Sequence, residues 1–75
     1  MSRIVTKKGV NVLSSYGEKL TELRGDKSQA EVARAVGIAT STLGMYEIGQ
    51  RVPRDSIKAA LAKYYNKTVQ EIFFD

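Results

Sequence analysis

Cysteine and histidine are both missing from this 75-residue chain, and proline occurs only once. Without cysteine there is no disulfide framework and no thiolate metal site; without histidine the usual zinc and acid–base chemistries are gone as well. The carboxylates do not fill that gap. Asp26, Glu47 and Asp55 are scattered and have no glycine-rich phosphate loop beside them, so the chain reads as a non-enzyme with no cofactor and no metal. Long apolar runs are lacking too, whether for a membrane span or for the core of a signal peptide, which predicts a cytoplasmic protein with no membrane partner.

What is present is a modest basic excess. Twelve Lys and Arg against eight Asp and Glu leave a net charge of +4 and a pI near 9.6. An excess of this kind suits a polyanionic partner, although a solvated basic surface has the same composition. The length allows one domain with a single small core and no second, ligand-sensing module. A domain of this size buries only about 60% of the surface of its unfolded chain. Its expected stability is roughly 4–11 kcal/mol.

The most informative stretch is residues 28–48, SQAEVARAVGIATSTLGMYEI. Ser28 and Glu31 form a capping box that starts a helix, in which Ala30, Val32, Ala33 and Val36 supply an apolar face. Gly37 stands where a helix exit wants a left-handed residue, which glycine adopts without a Cβ penalty. A second short helix follows from Thr40 to Ile48, with Leu43, Tyr46 and Ile48 expected to face inward. Two short helices that cross steeply need a small residue at the contact, and Ala33 lies there.

The rest of the chain is organised around this pair. Residues 1–13 carry β-formers around the turn-like Lys7-Lys8-Gly9, which allows a short hairpin or an extended arm. Three roles are open for that segment: a frayed terminus, an arm carrying Arg3, Lys7 and Lys8 to DNA, or a β-ribbon pairing with a second subunit. From residue 14 onward a helical domain is expected. Its first helix runs from about Ser15 to Arg24, with a capping box at Ser15 and Glu18 and a buried stripe of Tyr16, Leu20 and Leu23. After the motif, Gly49 and Pro53 shape a loop, and a helix from Asp55 through Tyr65 buries Ile57, Ala60, Leu61 and Tyr64. Asn66 suits a left-handed exit, and Thr68 with Glu71 opens a last short helix carrying Val69, Ile72 and a phenylalanine.

The arrangement Gln29-Ala30-x-x-Ala33-x-x-x-Gly37-x-x-x-x-x-Leu43, continued by Tyr46-Glu47-x-Gly49 and followed by Arg51 and Pro53, resembles the helix-turn-helix of the lambda-repressor and Cro-like family, also called Xre-type regulators. The resemblance covers Tyr16 to about Phe74. It implies an all-α, compact five-helix lambda-repressor-like domain over residues 14–75, preceded by an extended or short β segment. The Gly25-Asp26-Lys27 turn is two residues shorter than the usual connection and lacks the apolar residue that commonly precedes the capping serine.

The resemblance also implies how the domain meets double-stranded DNA. The helix at 40–48 would lie in the major groove while the helix before it crosses the phosphate backbone. By the family's pattern Thr40, Ser41 and Met45 would read base edges, with Gly44 on the same face. None of them can make a bidentate bond to guanine or adenine, so a site rich in A·T and read through thymine methyls and hydroxyls is expected. Capping of the helix is the competing role for Thr40 and Ser41. Phosphate contacts are expected from Gln29, Lys27, Thr42, Tyr46, Gln50, Arg51 and Arg54, with Arg51 foremost. Glu47 would be paired with Arg24 or Arg51. Relatives read two-fold symmetric operators, which implies a homodimer joined through Ile72, Phe73 and Phe74 or through the N-terminal segment. The expected function is a sequence-specific transcriptional regulator of the repressor kind. The rival is a protein-interaction module or antitoxin-like partner on the same fold, favoured by the sparse charge of the helix at 40–48.

Overall fold

A computed structural model of the chain describes residues 15–74. Among them are five helices and no strand: α1 (Ser15–Arg24), α2 (Gln29–Val36), α3 (Thr40–Glu47), α4 (Asp55–Tyr65) and α5 (Val69–Phe73). The arm or hairpin expected over residues 1–13, with Arg3, Lys7 and Lys8, lies outside the described residues, as does the side chain of Ser15.

Local chemistry sets the boundaries. Ser28 accepts a hydrogen bond from the Glu31 N–H at 3.0 Å and so starts α2, although the reciprocal bond that would complete the capping box is not made. Thr68 and Glu71 close both halves of theirs, at 2.8 and 3.0 Å. At its far end α2 reaches Gly37, whose φ of 81° lies in the left-handed region. There the Gly37 N–H bonds the Arg34 carbonyl and the Ile38 N–H bonds the Ala33 carbonyl, a pair that uses up orphan carbonyls of the last turn. The same two-bond closure recurs after α3 at Gly49 and after α4 at Asn66, which takes φ 59° without being glycine.

Packing centres on α3, which lies against α1 and α2; α1 also contacts α5, and α4 bridges α2 and α5. The core is Leu20, Val32, Ala33, Leu43, Tyr46, Leu61, Ala62 and Ile72. Ala33 is 1% exposed at the crossing of α2 and α3, as its small size requires. Two apolar residues expected to face inward do not. Ala30 is exposed, because it sits roughly 120° around α2 from Val36. Ile48 is 62% exposed; it caps α3 rather than continuing it, and lies roughly 140° around the axis from Leu43.

The tightest approach is between α1 and α3. A Cβ placed on Gly17 would overlap the Glu47 carbonyl oxygen and come within 2.9 Å of that of Tyr46. Gly17 is buried, and its missing side chain lets the backbones of the two helices meet.

Candidate nucleic-acid interface

The two sides of α3 differ sharply. Leu43, Tyr46 and Glu47 are buried, whereas Thr40 and Ser41 are exposed and Met45 is 38% exposed. Ala39 is the N-cap and offers no side-chain bond. Neither Thr40 nor Ser41 replaces it, so among the described residues both exposed hydroxyls are uncommitted and the first amides of α3 have no side-chain partner. Gly44 and Thr42 are half-buried at the margins of this face.

Glu47 forms the structural centre under it. Its carboxylate is 3% exposed and is gripped by Arg24, with Nε on Oε2 at 2.8 Å and Nη2 on Oε1 at 3.2 Å. Arg24 is therefore its partner, rather than Arg51. The hydrogen bond to Glu47 holds the Arg24 guanidinium still more firmly protonated than usual. Gln29 adds a third bond, donating from Nε2 to Glu47 Oε1 at 2.8 Å. Its amide lies against Gly44: a Cβ built there would sit 3.7 Å from Gln29 Nε2 and 3.8 Å from Oε1. Those are ordinary contacts, so the fold itself does not require glycine at 44.

Beside α3 lies a shallow depression lined by Ile38, Ala39, Thr42, Tyr46, Arg51, Arg54, Ser56 and Ile57. It gathers four of the residues expected to touch phosphate: Thr42, Tyr46, Arg51 and Arg54. Two helices begin at it, and neither Ala39 nor Arg54 caps its helix with a side chain. Two sets of partly positive amides thus converge with two guanidinium groups, an arrangement suited to an anion. The loop that carries Arg51 is pinned from below, since the Tyr16 hydroxyl donates to the Arg51 carbonyl at 2.8 Å. Lys27 and Gln50 are exposed outside the depression.

The C-terminal apolar residues divide. Ile72 is 2% exposed and belongs to the core, and Phe73 packs on Tyr16 with ring centroids 5.8 Å apart. Only Phe74, 60% exposed, remains at the surface, so Ile72 is not available to a subunit contact. The reason is the length of α5: one and a half turns put Ile72 on the inner side and leave the residue after the helix outside.

A family model for the helix-turn-helix matches residues 20–72. The chain belongs to the Cro/C1-type helix-turn-helix family. No curated protein matches it. As a member of this family it is a DNA-binding regulator of the Cro/C1 type. The family is one of DNA-binding proteins rather than of enzymes. Among the described residues no group of acidic side chains could hold a metal, and no helix is long and apolar enough to cross a membrane.

Three features of the site escape sequence reasoning. The close approach at Gly17 and the Tyr16 bond to Arg51 depend on contacts about thirty residues away in the chain. The Gln29 bond to Glu47 joins the first residue of α2 to the last of α3. A Glu at 47 beside the expected Arg24 partner is the one signal that hinted at a buried polar cluster.

Proposed function

We propose that the protein is a sequence-specific repressor that inserts α3 into the major groove of a two-fold symmetric operator as a homodimer. The observation that carries this is the outward face of α3, with Thr40, Ser41 and Met45 exposed among the described residues. Thr40, Ser41 and Met45 then meet base edges, and Gly44 gives the backbone a close approach. Thr42, Tyr46, Arg51 and Arg54 hold phosphates at the depression, with Lys27 and Gln50 flanking. A face of hydroxyls and methyls discriminates through thymine methyls and groove shape, which favours an A·T-rich site. One module makes few phosphate contacts, and two copies on half-sites one turn apart raise the total.

Salt titration of binding to duplex DNA is the direct test. Affinity should fall linearly on a log–log plot, with a slope of about −0.9 for each phosphate neutralised. Absence of binding even at low salt would transfer the fold to the protein-interaction reading, which the exposed Ile48, Val52 and Phe74 would then serve. Sedimentation of the protein with and without a palindromic duplex tests the dimer: a single copy per duplex at saturation counts against it.

A further inference from the structure

We infer that Gln29, although it belongs to α2, reads a base, and that the base is adenine; this rests on α3 occupying the major groove. The recognition face of α3 itself offers no amide or guanidinium, only Thr40, Ser41, Gly44 and Met45. Gln29 brings an amide to the edge of that face. It is half-buried, lies across the space that a side chain at Gly44 would border, and is only 3.7–3.8 Å from the Cβ position there.

The orientation of the amide is fixed by chemistry. A carboxylate that takes both N–H donors of a guanidinium presents acceptors, and Glu47 receives two such bonds from Arg24, one on each oxygen. The nitrogen of Gln29 must therefore face Glu47, as it does at 2.8 Å, and the oxygen cannot exchange places with it. One N–H and the carbonyl oxygen remain. A phosphate, which only accepts, can use just the first of these and is repelled by the second. Adenine uses both, since its major-groove edge pairs an N7 acceptor with an N6 amino donor. The spent N–H thus argues against the phosphate role that the family resemblance implies for this position. Arg24 and Glu47 become positioning residues for the reader, holding its amide rigid before DNA arrives. Gly44 leaves room for the purine edge to come alongside.

The test is selection of bound duplexes from a random pool by the wild-type chain and by the Gln29→Ala and Gln29→Met variants, with folding checked by circular dichroism melting. The wild type should select an adenine in each half-site. Both variants should lose preference at that position alone, by roughly 5- to 150-fold, the worth of one bidentate base contact. Replacing that adenine with 7-deaza-adenine removes the N7 acceptor, and should weaken the wild type but not the variants. This arm probes the wild-type chain even if a variant folds poorly, and an unchanged wild-type affinity for 7-deaza duplexes at every adenine overturns the inference. Variants that keep the whole consensus while binding all sequences more weakly also overturn it, and return Gln29 to a phosphate. A wild type that selects no consensus removes the groove reading of α3, a different failure.

Discussion

The inner and outer sides of α3 are made from the same eight residues and obey opposite rules. Inward, Leu43 is fully buried, and the Glu47 carboxylate meets three donors from two other helices. Outward, Thr40 and Ser41 hold no partner among the described residues, and the first turn has no side-chain cap. The buried Glu47 carboxylate is satisfied by the protein, whereas among the described residues nothing bonds the hydroxyls of Thr40 and Ser41. The contrast separates residues that fix where the helix lies from residues that play no part in fixing it.

The comparison breaks most completely at Arg24. Arg24→Met leaves the nearly buried Glu47 carboxylate without its cation, and loss of one partner of such a pair costs about 3–5 kcal/mol. That is a large part of the whole stability of a small domain, so the urea midpoint of the variant should fall far below that of the wild type. Gly17→Ala attacks the same side by sterics. The new methyl meets backbone, which cannot rotate away, so α1 and α3 must separate, at about 1–3 kcal/mol less the gain in helix propensity. A midpoint in urea equal to or above that of the wild type would show that the helices are less tightly joined than the structure has them.

The outer side should respond differently. Gly44→Ala meets nothing closer than 3.7 Å, so it should raise stability by up to about 1 kcal/mol in thermal melts while weakening operator binding. Stability and affinity moving apart is the mark of a residue kept for approach to a ligand; a variant that loses stability would place Gly44 with the inner side instead.

The smallest effect falls on a buried polar group of α4 that has no partner among the described residues. The Tyr65 hydroxyl is buried with no hydrogen-bond partner, and burial pushes its pKa up from 10.0 to about 12. Because the folded value is the higher one, its contribution is present in full below pH 10 and is lost as pH rises toward about 12. Tyr65→Phe should hold or slightly raise stability at neutral pH, since a buried unpartnered hydroxyl carries a desolvation cost that the variant removes, and should flatten the alkaline fall between those two values. An unaltered alkaline limb would mean that other groups, such as the lysines, govern it.

What the sequence disclosed was mostly what one turn of chain can decide. Ser28, Gly37, Gly49, Asn66 and Thr68 act on amides and carbonyls within five residues of themselves, so composition and spacing reveal them, and the starts of α2 and α5 and the ends of α2, α3 and α4 fall close to where those residues indicate. Ile48 defeats such reading because its side depends on whether the helix continues for one more residue. Ile72 was equally legible as core or as interface until the path of α5 showed which side it takes. Gly17 is the clearest limit: in the sequence it is an ordinary glycine within a helix, and its necessity comes from a carbonyl thirty positions on. At the site, the identity of the outward residues was legible and their freedom was not. Whether Thr40 and Ser41 cap or stand clear is decided by geometry at Ala39, which has no side-chain oxygen to signal either outcome.

An alanine at position 39 has one more consequence. A serine or aspartate there would steady the helix permanently, and would also fill with its own oxygen the place where a ligand's oxygen could sit. Starting on a methyl leaves the first turn of α3 without a side-chain cap. If α3 meets DNA as proposed, a phosphate oxygen seated there would supply the missing bond, and binding would then steady the same turn that carries Thr40 and Ser41.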